Sequence, residues 1–288
     1  MRSVFPIATV LAVILMIWYF AAYQMNSKWT LDQAERAGVT LTSGEVFADT
    51  MAQERARLPA PHQVAVELWE TTVKKKITSK RSLIFHGWIT LNATLWGFAL
   101  GGAIGLSLAI AIVYTRVMDM GVMPWAVISQ TIPIVALAPM IIVLMNALGV
   151  QERIVPKAII SAYLCFFPIL VGMVKGLRAP DAMQLDLMKT YSANGVQSFW
   201  KLRLPSSMPY LFTSMKIGIA AALVGTIVGE LPTGALRGLG ARILVGDQFG
   251  PPIRIWSALI AAAILAGGLV ALIGLIQRIT LKRMGMAR

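Results

Sequence analysis

Long apolar runs separated by short polar stretches fill most of the sequence. The runs Val4 to Tyr23, Trp88 to Tyr114, Met120 to Gly149, Ile154 to Val174, Tyr210 to Gly229 and Trp256 to Ile276 are each long enough to cross a hydrocarbon core of about 30 Å as a helix. Six such runs predict an all-α integral membrane protein with six transmembrane helices. The first run follows Arg2 and closes on Trp18, Tyr19, Phe20 and Tyr23, side chains suited to the headgroup level. It reads as an uncleaved anchor, being long for a signal-peptide core and followed by no small-residue cleavage site. In the second run Gly97, Gly101 and Gly105 recur every four residues, placing three glycines on one face where another helix can come close. The third carries Pro124, Pro133 and Pro139, and each removes a helical hydrogen bond whose carbonyl must find another partner. Lys157 and Lys216 stand near the ends of the fourth and fifth runs, from which an ammonium group can snorkel to the interface.

The polar stretches divide the chain into an N-terminal transmembrane helix (1–23), an extramembranous loop (24–87) and a transmembrane domain (88–288). Within the loop, Pro59 and Pro61 punctuate, and Val64 to Ile77 reads as an amphipathic helix. Its Val66, Leu68, Trp69 and Val73 can lie either on the membrane or on neighbouring helices; the run Lys74, Lys75, Lys76 marks a solvated or headgroup-facing end. Glu230 to Arg254 is a Gly- and Pro-rich loop with room for one short helix, and Gln277 to Arg288 is a basic tail. The stretch Asp181 to Pro209 is the most conspicuous polar interruption of the apolar part. A turn signal at Asn194-Gly195 and a terminator at Leu204-Pro205 predict two short helices joined by a bend, outside the bilayer.

Composition narrows the function classes. With 57% hydrophobic and 14% charged residues and a mean hydropathy of +0.70, a soluble domain is excluded. The net charge of +13 sits on residues flanking apolar runs, with no basic domain carrying interleaved aromatics, so anionic membrane lipid is the expected partner and nucleic acid is not. Cys165 stands alone, and His62 and His86 lack carboxylates or thiols at ligand spacing; no metal site is expected. The glycine-rich segments Gly101-Gly102 and Gly234 to Gly240 lack the Gly-Lys-Ser/Thr ending of a nucleotide loop, so no cofactor is expected in this chain and it should not bind ATP. Nor is there a nucleophile with a base at helical spacing, which argues against an enzyme. Polar residues inside the apolar runs are the candidates for a translocation path: Gln130, Thr131 and Asn146 beside Pro133, and Thr226 with Glu230. For each, an interhelical hydrogen bond or a helix cap is the alternative reading.

The spacing within Asp181 to Pro209 resembles the EAA loop of permease subunits of bacterial binding-protein-dependent ABC importers: Glu-Ala-Ala, three residues, Gly, nine residues, Ile, one residue, Leu-Pro. Counted back from Leu204-Pro205, the Ile position is Leu202, the Gly position Ser192, and the Glu-Ala-Ala positions Asp186, Leu187 and Met188. The acidic residue and Leu-Pro are kept and the glycine is not. Serine tolerates positive φ poorly, so either Ser192 or the neighbouring Asn194-Gly195 carries the turn. Further stretches, among them LPAPHQV, TLNATLWGFALGGAIGL, SQTIPIVALAPMIIVLMNALGV and FFPILVGMVKGL, are similar to permeases for nitrate, sulfonates, taurine and vitamin precursors. The resemblance implies the type I (MetI-like) importer permease fold and a loop that couples transport to ATP hydrolysis. Asp186 would meet the ATPase, and Leu202, Leu204 and Pro205 would fix the loop to its own membrane domain. It implies a second permease copy, two cytoplasmic ATPase subunits that bind ATP and Mg, and a periplasmic substrate-binding protein. The solute would be small and polar or anionic, of the nitrate, sulfonate, taurine, pyrimidine thiamine precursor or riboflavin class. Charge alone leaves orientation open, since either topology divides Lys and Arg almost evenly; the resemblance puts the chain in the bacterial inner membrane with both termini cytoplasmic and the 24–87 loop periplasmic. The competing class is a secondary transporter without an ATPase, which would normally show two related halves.

Overall fold

A computed structural model describes residues 4–232 and 237–286; Arg2, Gly234 and Arg288 of the sequence readings above lie outside the described residues. Among the described residues every regular element is a helix. Five are long and apolar enough to cross a membrane, and a bent pair makes up to six spans. The chain divides into two compact units, 1–87 with 236–262 and 88–235 with 263–288.

In the first unit, α1 (Val4–Ala37) continues as helix well past Tyr23. Its apolar first half is exposed, as a lipid-facing helix must be. The second half carries polar residues that stitch the loop to it. Asn26 donates from Nδ2 to Leu58 O (2.8 Å) and accepts from Leu58 N (3.3 Å), while Gln53 Nε2 donates to Thr30 Oγ1 (2.6 Å) and Trp18 Nε1 to Pro59 O (3.0 Å). Two short helices, α2 (Ser43–Ala52) and α3 (Pro61–Trp69), are thereby fixed. Pro61 opens α3 at a position where its missing N–H costs nothing. The helix ends in a π turn, Glu70–Lys74, at which the Thr71 and Thr72 hydroxyls donate back to Glu67 O and Leu68 O (both 2.6 Å). Such back-bonding competes with the regular ladder.

The second unit is organised on α7 (Ile154–Leu177). Gly97, Gly101 and Gly105 of α4 (Leu83–Tyr114) meet Ser161, Cys165 and Ile169 in that order, so α4 and α7 run parallel. A Cβ on Gly105 would fall 2.6 Å from Phe166 O and 3.1 Å from Leu170 N. On another side, α10 (Leu204–Glu230) runs antiparallel to α7: Gly176 faces Ser207, Gly172 faces Ser214, Gly218 faces Ile169, Gly225 faces Ser161 and Gly229 faces Ile160. Small residues opposed on both helices bring the backbones together, which is how helices associate where lipid removes the hydrophobic drive.

Between α4 and α7 the expected continuous third span is broken. It consists of α5 (Arg116–Ser129) and α6 (Ile134–Ala147), bent by 100°. Pro133 supplies no N–H and constrains the residue before it. The end of α5 is closed by side chains, the Thr131 hydroxyl on Ile128 O (2.8 Å) and the Tyr163 hydroxyl of α7 on Ser129 O. Because α4 and α7 are parallel, the bent pair must return the chain from the end of one to the start of the other. It therefore counts as a crossing and not as a loop that dips and returns.

After α7 come α8 (Ala182–Thr190) and the single turn α9 (Gly195–Ser198). Helical structure then continues through a π turn, Phe199–Arg203, into α10, giving one rod from Gly195 to Glu230. Leu204-Pro205, read as a terminator, lies inside that rod. The Leu204 N–H reaches back five residues to Phe199 O, and this wider turn accommodates a proline that cannot donate. Last come α11 (Leu239–Phe249) and α12 (Ile253–Arg283); in the second unit Leu269 and Ile273 of α12 pack on Phe212 and Ile219 of α10.

Two neighbouring alanine substitutions should separate contact from propensity. Gly105→Ala drives a methyl group into the backbone of α7, whereas the nearest atom to a Cβ on Gly102 is 3.7 Å away. Gly105→Ala should cost about 1–3 kcal/mol and lower the melting temperature of the detergent-solubilised protein, and Gly102→Ala should leave it unchanged or raised; equal shifts would mean that the α4/α7 contact is looser than described.

Candidate functional site

The loop between α7 and α10 is built from two matched helix starts. Asp181 Oδ1 accepts from Gln184 N (2.8 Å) and Gln184 Oε1 accepts from Asp181 N (3.2 Å). Asn194 and Gln197 repeat the arrangement at 2.8 and 3.1 Å. These reciprocal caps satisfy donors that a helix start leaves open. The reversal between them falls on Ser192, at φ 51°, the position at which the resembling family carries glycine. Asn194-Gly195 is not the turn: Asn194 caps the next helix and Gly195 is its first residue. Serine thus occupies a backbone conformation that disfavours any side chain.

No residue of α8 is buried. Met183 is 78% exposed, Leu187 54% and Tyr191 75%, and their spacing of four aligns them in one apolar stripe. Asp186 already holds an exposed partner, Lys189 Nζ at 2.8 Å. Val196 and Trp200 are exposed in the same way on the following turns. Behind them the loop is held firmly. Leu202, Leu204 and Pro205 are half-buried, and Phe199 and Leu204 pack against the cluster of Ile112, Met173, Val174 and Leu177. Arg203 Nη1 donates to Leu177 O (2.9 Å), a cation closing the C-terminus of α7, and Arg178 pairs with Asp119 across to α5 (2.9 Å).

The opposite end of the bundle, where α4 and α7 begin and α10 ends, holds a buried ion pair. Lys157 Nζ lies 3.2 Å from Glu230 Oε1, and the Thr90 hydroxyl is 3.1 Å from each carboxylate oxygen. One turn away the Thr94 and Thr226 hydroxyls are 3.0 Å apart, and Ser161 donates to Ala222 O (2.8 Å). Lys157 does not snorkel as expected, because a carboxylate facing it from α10 offers a partner without leaving the bundle. Thr226 and Glu230 are fully buried in this cluster, which links α4, α7 and α10. Gln130, Thr131 and Pro133 come together at the α5/α6 break, with Thr131 and Pro133 exposed, and Asn146 is exposed near the end of α6. Thr90, Thr94, Lys157 and Ser161 were missed as cluster members, as were Met183, Tyr191, Val196 and Trp200 as surface. The four-residue spacing of Thr90 with Thr94 was a usable signal; the pairing with Glu230 across 140 positions was not.

Residues 101–286 match the family described as binding-protein-dependent transport system inner membrane component. The chain is 31% identical to the riboflavin transport system permease protein RibX of Chloroflexus aurantiacus, over 86% of this chain and 84% of that one. It is 33% identical to the formylaminopyrimidine transport permease protein ThiX of Halalkalibacterium halodurans, over 68% and 74%. Among solved structures, the inward-facing MetNI methionine ABC transporter has a chain of the same fold, with TM-score 0.59, 20% identity and coverage of 72% of this chain and 96% of that one.

Two substitutions test the geometry. Ser192→Gly removes a side chain from a left-handed residue and should stabilise the protein by about 1 kcal/mol, seen as a higher melting temperature, while the β-branched Ser192→Ile should lower it. At the other end, Lys157→Met removes the cation that faces a buried carboxylate and should cost about 3 kcal/mol in detergent unfolding. The double variant Lys157→Met/Glu230→Met should cost less than the two single changes added together; simple additivity would show that the two side chains are not coupled.

Proposed function

The chain belongs to the binding-protein-dependent transport system inner membrane component family, and on that premise we propose that it is driven from α8 by a separate ATPase and passes a small polar or anionic solute across a bacterial inner membrane. It is an ABC importer permease, a transport subunit and not an enzyme. The observation that carries the coupling role is the exposed stripe Met183, Leu187, Tyr191 on a helix with no buried residue, joined by a well-anchored turn to a rod that runs the length of the bundle. An apolar face of this kind, outside the spans, has the character of a protein contact. Asp186, Met188 and Ser192 shape the same helix and its end, and Leu202, Leu204 and Pro205 tie the rod to the core.

An ATPase partner places α8 in the cytoplasm. With α7 and α10 antiparallel and α4 parallel to α7, the start of α4 is then periplasmic, and so is the loop that precedes it. Crossing by α1 and α12 brings both termini to the cytoplasm. A second copy of the chain, two ATPases holding ATP and Mg, and a periplasmic binding protein complete the assembly. For the solute path we retain Gln130, Thr131, Pro133 and Asn146, which are polar or lack a backbone donor and line a broken helix. Such breaks in spanning helices accompany substrate paths. The relatives' names span riboflavin, formylaminopyrimidine, aliphatic sulfonates and nitrate, consistent with a polar or anionic solute of that size range.

Reconstituted vesicles containing the permease, ATPase and binding protein test the coupling reading. Leu187→Asp, at an exposed position, should leave the melting temperature unchanged and reduce stimulated ATP hydrolysis and uptake by about tenfold or more. Asp186→Lys, which breaks only an exposed pair, should have a smaller effect, worth less than about 1 kcal/mol. Normal coupling in Leu187→Asp would remove α8 as the contact, and uptake without any ATPase would make the protein a secondary transporter.

A further inference from the structure

We propose that α3 and the π turn after it rest in the headgroup layer of the leaflet from which α4 starts, and that Lys75 and Lys76 there bind anionic phospholipid. The segment Pro61–Lys74 has two apolar faces. One is used inside the first unit, where Val64 and Thr71 are buried and Gln63 Nε2 donates to Gln53 O (3.0 Å). The other is not. Val66 and Trp69, three positions apart, share the other side of α3 and are each more than half exposed, as are Val73 in the π turn and Ile77 in the non-helical segment after it. A tryptophan in the middle of such a stripe suits the boundary between acyl chains and headgroups.

Charge identifies the occupant. Lys74 is taken up by Glu70 (3.0 Å), but Lys75, Lys76, Lys80 and Arg81 follow without an intervening acid. Only residues 75–82 separate the π turn from α4 at Leu83, a length that spans at most about 28 Å when extended. The stripe and the cations are thus tethered close to where α4 meets the bilayer. An apolar face flanked by several cations matches an anionic membrane surface. This placement requires only that α4 crosses the membrane, and it does not depend on the ATPase or on the solute.

Spin labels on cysteines introduced in a Cys165→Ala background, in the full chain reconstituted in vesicles, report depth directly. In vesicles containing phosphatidylglycerol, labels at Trp69→Cys and Val73→Cys should collide several-fold more with oxygen than with a water-soluble nickel chelate. A label at Asp49→Cys, an exposed position on α2, should show the reverse. The added change Lys75→Glu/Lys76→Glu should bring the ratio at position 69 towards that of position 49 in phosphatidylglycerol and have little effect in phosphatidylcholine. Trp69 emission, taken as wild type minus Trp69→Phe, should likewise be quenched by brominated phosphatidylglycerol. Nickel access at 69 and 73 equal to that at 49 would overturn the proposal. So would protection that arises only when the binding protein is added, since that would make the stripe a protein interface. Equal depth in both lipids, unchanged by the charge reversal, would overturn the anionic-lipid part.

Discussion

Close approach along α7 is the constraint on which the transmembrane unit rests. Hydrocarbon gives helices no reason to bury apolar side chains against one another, so association depends on contact area and on polar partners. Glycines on α4 meet one face of α7, and glycines and serines alternate between α7 and α10 on another. α7 is consequently fixed on two faces by backbone proximity. The parallel and antiparallel directions of its neighbours follow from the order of those contacts. The need for a crossing in between then follows from the directions.

The same solvent dictates where polar atoms go. Each proline inside the apolar segments frees a carbonyl that water would satisfy in a soluble protein. At Pro133 the carbonyl so freed is Ser129 O, four residues back, and the Tyr163 hydroxyl donates to it instead. Lys157 and Glu230 are the costlier case. Two charges withdrawn from water are tolerable because each finds the other and Thr90 supplies a further donor. The result joins the starts of α4 and α7 to the end of α10 by a buried ion pair, where the end nearer α8 combines packing of Phe199 and Leu204 with the part-exposed Arg178–Asp119 pair.

Much of this was legible in the sequence because it depends on local pattern. Span number, helix class, the packing role open to Gly97, Gly101 and Gly105, and the loop at Asp181 to Pro209 all arise from periodicity or spacing. What escaped depended on distant partners or on fine backbone geometry. Lys157 looks like a snorkelling lysine until Glu230 is placed opposite it. Met120 to Gly149 reads as one apolar run because hydropathy does not register a 100° bend. Leu204-Pro205 looks like a terminator because a π turn, which lets a helix pass through a proline, has no signature at the level of residue type. Ser192 shows the opposite outcome. The family's glycine correctly marked a left-handed position, and the structure keeps that conformation at 51° although the residue no longer favours it.

The π turn at Phe199–Arg203 also sets an angle. A π turn holds one residue more than the α-helical turn it replaces, and each residue of an α-helix advances the azimuth by about 100°. Everything before the turn is therefore rotated about the axis of α10 by that amount relative to an unbroken helix. Val196 and the α8 stripe are aimed by this phase, independently of their own composition. One residue inserted or deleted here turns the whole face about that axis while leaving every contact of α10 with α7 in register.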